Sequence, residues 1–75
     1  MNKKRRRRIS DLIIMLRNVE ICLNTILNEE DDARDAMPES FEATDSYALS
    51  EEASDSMEEA LGLINDAIDL IESIV

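Results

Sequence analysis

The chain is 75 residues long and carries 18 acidic against eight basic side chains, a formal net charge of −10, with no histidine. A chain this short makes one domain at most, and its core is too small to stand easily without a disulfide, a metal or a second subunit. A lone cysteine excludes an internal disulfide, the lack of histidine beside it excludes a structural zinc site, and self-association is the route left.

One glycine, one proline and two aromatic residues argue against an all-β fold, while the abundance of Ala, Leu, Ile, Glu and Asp points to long helices. The charge is unevenly placed. Lys3, Lys4, Arg5, Arg6, Arg7 and Arg8 form a basic arm; beyond it, 18 acids face only Arg17 and Arg34, a balance of −16. Self-repulsion predicts that the arm, residues 1–8, is disordered or frayed on its own. It suits a nucleic-acid backbone, an anionic membrane surface or an acidic protein surface, and equally a solubilising tail.

Residues 9–37 read as the first helix. In a heptad register, Ile9, Leu16 and Leu23 take position a, Leu12, Val19, Ile26 and Ala33 position d, and Ile13, Glu20 and Leu27 position e. Ile14, Met15, Ile21 and Cys22 fall at f and g, which widens the apolar surface beyond what a two-helix hairpin covers. Cys22 is expected to be a buried small hydrophobe. Asp11, Arg17 and Glu20 interrupt the apolar stretch, so no membrane span is expected. The apolar run Leu12–Leu16 is also too short for a signal peptide, and a cytoplasmic location in a host cell is expected. Late in this helix stand Glu29, Glu30, Asp31 and Asp32, at the end where the helix dipole disfavours negative charge. Arg34 is the one nearby compensation.

Residues 38–45 read as a corner. Pro38 ends the first helix and opens a single turn, and Phe41, Tyr47 and Leu49 are expected to plug the end of the core. Thr44, Asp45 and Ser46 are candidate N-caps for a second helix over 46–75. From Glu51 onward this helix is a seven-residue repeat, with Met57, Ile64 and Ile71 at a, Ala53, Ala60, Ala67 and Ile74 at d, and Leu61, Ile68 and Val75 at e. The small alanines predict close approach of a neighbouring helix. Glu52, Asp55, Glu58, Glu59, Asp66 and Asp69 fall at b, c and f, facing away, and no Lys or Arg follows residue 50. Gly62, also at f, predicts close contact with a partner backbone. The fold expected is all-α: a two-helix antiparallel hairpin whose surplus apolar surface pairs with a second copy in a four-helix bundle. A marginal monomer with scattered exposed aliphatics is the alternative.

Nucleophilic catalysis has no support, because there is no histidine and no Gly-rich elbow; phosphate-binding loops are absent too. No cofactor and no metal is expected. The pairs Glu29-x-x-Asp32 and Glu52-x-x-Asp55 are loosely similar to the magnesium-binding pairs of all-α nucleotide pyrophosphatases of the MazG type, since an i, i+3 offset puts two carboxylates on one face. No Lys or Arg in the second helix follows to hold a phosphate. Binding is the stronger expectation. The candidate surface for a partner protein with a basic face is Glu52, Asp55, Glu58, Glu59, Asp66 and Asp69, joined by Glu29, Glu30, Asp31 and Asp32. The candidate nucleic-acid contact is the basic arm.

The basic start Lys3–Arg8, the corner Met37-Pro38-Glu39-Ser40-Phe41 and the repeats Glu51-Glu52-Ala53 and Glu58-Glu59-Ala60-Leu61 resemble the small acidic helical-hairpin proteins of phages and prophages of Gram-positive bacteria. The sequence departs from that pattern at Asn65-Asp66-Ala67. The resemblance implies a mobile-element origin and supplies no activity or site. By architecture alone the chain is also like Rop, a plasmid RNA-binding dimer of helical hairpins. Two functions are expected: an inhibitor or modulator of host nucleic-acid-processing or defence machinery acting through its acidic surface, or a structural or regulatory dimer binding RNA or DNA through the arm.

Overall fold

A computed structural model describes residues 1–75 as two long helices folded back on each other, α1 over Lys3–Asp35 and α2 over Asp45–Glu72. The molecule is a rod, 59 × 14 × 13 Å. The all-α hairpin expected from the heptads is therefore present.

Helix α1 begins six residues earlier than its apolar register. Asn2 accepts the Arg5 N–H on its side-chain oxygen at 2.8 Å and caps the arm. Arg and Lys are good helix formers, and extending an existing helix costs far less than starting one. Local propensity and propagation from Ile9 onward thus overcome the self-repulsion that predicted a frayed arm.

The corner follows its proline. Helix α1 stops at Asp35, Pro38 is extended, and Glu39–Phe41 form one 3-10 turn. Thr44 then caps α2 by accepting the Tyr47 N–H at 3.3 Å. The expected plug is not made: Phe41 and Leu49 are exposed, and Tyr47 alone tucks partly into the seam. A short turn keeps Phe41 outside the gap between the helices, and Leu49 lies a quarter turn from the buried Ser50.

The seam is narrower than the a, d and e stripe. On α2 it follows Tyr47, Ser50, Ser54, Met57, Leu61, Ile64, Ile68 and Ile71; on α1 it follows Ile9, Ile13, Leu16, Glu20, Leu23, Leu27, Arg34 and Met37. These are the a and e positions. Ile68, at 1% exposure, is the best-buried side chain, joined by Ile13 and Leu27. The d positions of α1 are turned out, Val19 being 50% exposed, and Ala53 is exposed while Ala60 and Ala67 flank the seam. A two-helix contact covers only a narrow arc of each helix, so a stripe three positions wide cannot all enter it. Cys22 is exposed rather than buried for the same reason. Gly62 faces open space, with nothing within 4 Å of where its Cβ would stand, and nothing in the hairpin explains it.

Candidate interaction surfaces

The acids of α2 lie on the outer side. Glu52, Asp55, Glu58, Glu59, Asp66 and Asp69 are all exposed; at 100° per residue Glu52, Asp55, Glu59 and Asp66 lie opposite the seam formed by Leu61, Ile64 and Ile68, and Glu58 and Asp69 stand on one flank. No cation of α2 neutralises them. The single ion pair at this helix joins Glu72 to Arg17 of α1, between two partly exposed side chains near the C-terminus of α2.

The acids of α1 divide. Glu29 and Asp32 are exposed, and Glu30 is half-buried. Asp31 is engaged. Its Oδ1 accepts from Ser54 Oγ at 2.7 Å and from Arg34 Nη2 at 2.8 Å. Arg34 Nη1 also donates to Ser54 Oγ at 2.8 Å, to Ser50 Oγ at 3.2 Å and to the Ser50 carbonyl at 3.1 Å. The hydrogen bond from Ser54, then that from Arg34, holds the Asp31 carboxyl below the usual carboxylate range, and the Asp31 bond raises the Arg34 guanidinium in turn. Asp31 thus belongs to a clamp between the helices rather than to the free acidic surface. Its sequence signal is in the register: Ser50, Ser54 and Arg34 occupy seam positions that are mostly apolar elsewhere, Glu20 being another exception.

All six residues Lys3–Arg8 are exposed. Arg17 meets Glu72 and Arg34 meets Ser50 and Ser54, so α2 runs out level with Arg17 of α1. The basic arm therefore projects beyond the end of α2 as a free helical turn and a half or more. Arg5, Arg8, Ile9 and Leu12 line one shallow groove on α1, and Asn18, Val19, Cys22, Leu23 and Ile26 line a second, almost wholly apolar one.

The pairs Glu29–Asp32 and Glu52–Asp55 stand apart, and no three carboxylates or other ligand groups converge where a metal would sit. No helix is long and apolar enough to cross a membrane. No known family, curated protein or solved structure matches the chain.

Proposed function

We propose that this protein is a non-enzymatic interaction protein whose acidic helical surface binds a basic surface on a host protein, and so inhibits or modulates nucleic-acid-processing or defence machinery. What supports it is the placement of six α2 carboxylates on one outer face with no cation among them. Spread over residues 52–69 of a rigid rod, they present one charge per 5 Å or so on average, with the widest gap, Glu59 to Asp66, about 10 Å, a density coarsely like that of a nucleic-acid strand. A channel built to attract phosphates attracts such a ridge by the same long-range field.

The expected assembly is a homodimeric four-helix bundle. Only three apolar side chains are buried in the hairpin, whereas Leu12, Val19, Ile26, Leu63 and Leu70 are each at least half exposed. Pairing with a second copy removes that surface from water while leaving the ridge outside.

The experiment is binding to purified basic nucleases at low salt, where screening is weakest. Binding that disappears when Glu52, Asp55, Glu59 and Asp66 are changed to Gln or Asn supports the proposal. Absence of binding at low salt overturns it.

A second reading assigns the arm to RNA or DNA. It is favoured by the projection of Lys3–Arg8 beyond the end of α2 as an exposed helix, a form that reaches a phosphate backbone without obstruction. Deleting residues 1–8 separates the two: loss of nucleic-acid binding supports the second, and inhibition that survives the deletion supports the first.

A further inference from the structure

The hairpin carries a second apolar stripe on each helix. On α1 it is Leu12, Met15, Val19, Cys22 and Ile26, spaced 3, 4, 3, 4; on α2 its large members are Leu63, Leu70 and Ile74, with Ala67 between them. Each stripe lies about 100° before its own seam stripe in the N-to-C sense. Because the helices are antiparallel, the same rotation on both brings the two stripes to one face of the hairpin. That face is exposed: Leu63 and Leu70 are 63% and 71% accessible.

Both stripes are centred at the same height. The α1 stripe is centred on Val19, with its outermost large members Leu12 and Ile26 seven residues to either side. The α2 stripe is symmetric about the Ile68–Asp69 step, since Leu63 pairs with Ile74 and Ala67 with Leu70 across it. The cross-helix bonds of Arg17 with Glu72 and of Arg34 with Ser50 and Ser54 put Val19 level with residues 68–70. The large apolar side chains of both helices thus centre at one height, as an isologous two-fold interface requires.

Charge beyond the apolar centre fits the same axis. Continuing the α1 stripe toward the N-terminus gives Arg8 and Arg5, which line a groove with Leu12. Continuing it the other way gives Glu29 and Ala33, with Glu30 and Asp32 alongside. A two-fold axis at Val19 places residues equally far on either side opposite each other. Arg8 then faces Glu30, and Arg5 faces the turn of Asp32 and Ala33. On α2 the large side chains of the stripe stop at Leu63, and Ala60, Ser56 and Ala53 continue it toward the N-terminus.

We infer that this face binds a second copy of the chain antiparallel, with Val19 on the two-fold axis and the basic arm of each copy lying along the acidic C-terminal turn of α1 in the other. The inference rests on the self-association reading above and adds its orientation. A parallel pairing of hairpins sets α1 against the partner's α2, leaves both arms projecting from one end with nothing to cover them, and brings no acid to Arg5 or Arg8.

The test uses the full chain carrying Cys22→Ala and Val19→Cys. Under mild oxidation a helix pair crossing at residue 19 brings the two thiols within disulfide range, whereas native Cys22 and its copy are offset by six residues, about 9 Å along the axis. A dimer by light scattering with near-complete bridging of Val19→Cys and little of Cys22 supports the inference. A dimer without the Val19→Cys bridge overturns the orientation and leaves self-association standing. A monomer at every concentration overturns both. Arg5→Glu with Arg8→Glu is the second variant, its helicity checked by circular dichroism. It is expected to weaken the dimer about tenfold or more at low salt, four exposed ion pairs being lost. Adding Glu30→Arg and Asp32→Arg restores affinity; failure of this rescue overturns the placement of the arm.

Discussion

Arg34 of α1 reaches across the seam to donate to Ser54 Oγ of α2 at 2.8 Å, and the Ser54 hydroxyl donates in turn to Asp31 Oδ1 at 2.7 Å. The three side chains close a ring of hydrogen bonds between two helices whose buried apolar contacts are aliphatic. No buried side-chain polar atom is left without a partner. The ring stands near the corner, where it fixes how far one helix slides along the other. A uniformly aliphatic seam tolerates a shift of one heptad; a seam with one polar ring does not.

Ser54 is 4% exposed, so its loss is felt without relief from solvent. Ser54→Ala is expected to destabilise by about 1 kcal/mol, the net value of a hydrogen bond. Arg34→Met should cost more than Ser54→Ala, because it removes the donor to Ser50, Ser54 and Asp31 together. Urea denaturation followed at the helical signal checks the order. The companion change, Arg34→Leu with Ser50→Leu and Ser54→Leu, is expected to raise stability while blurring register, visible as broadened amide resonances.

The pH dependence follows from Asp31. Its carboxyl is depressed in the folded state, first by Ser54 and then by Arg34. A depressed acid contributes stability above its unfolded pKa, near 4, and that contribution is lost as pH falls through the lower folded value. Asp31→Asn should therefore be less stable than the native chain at neutral pH, and the gap should close only below about pH 4. A gap that persists unchanged at pH 2 would place the effect in packing rather than charge.

Ile68 is the anchor of the aliphatic part, buried to 1% exposure. Ile68→Ala is expected to cost about 2–5 kcal/mol, the range for removing a buried aliphatic side chain. Leu49→Ala, at a 63% exposed position, should fall within about 0.5 kcal/mol of the native chain. Thermal unfolding of the two variants measures the contrast. Equal effects would mean that Leu49 is covered by something the hairpin does not contain.

Helix, turn and helix were legible because a seven-residue repeat, a proline and a run of N-cap residues say the same thing at different scales. The acids fell on the outer face for the same reason. Which two of three apolar positions enter the seam was not legible: a stripe a, d and e wide reads equally as one broad face or as two adjacent narrow ones. The structure splits it, with a and e between the helices and d joining g on the neighbouring face. Leu12 and Val19 are thus exposed although their periodicity matches that of the buried Ile13 and Leu27. Cys22, at g, lies on that neighbouring face and is exposed in the single hairpin. Phe41 was misplaced because hydrophobicity near a corner says nothing of which way a 3-10 turn points.

The ridge on α2 sets stability against binding. Asp55 and Glu59 are four residues apart on one exposed face, and Glu52 with Asp55 and Asp66 with Asp69 are three apart. Each such like-charge pair costs about 0.2–0.5 kcal/mol in a helix, and no cation of α2 offsets it. Neutralising Asp55 to Asn and Glu59 to Gln should therefore raise the unfolding temperature by a few degrees, on the order expected for about 0.5 kcal/mol in a domain this small. Added salt screens the same repulsion in the native chain, so the advantage of the variant should shrink as ionic strength rises. If the ridge exists to meet a basic surface, the stabilised variant binds that surface more weakly, and the salt that erases its stability gain also erases the affinity of the native chain. A variant that gains stability and keeps its affinity would show that the repulsion is tolerated for some reason other than recognition.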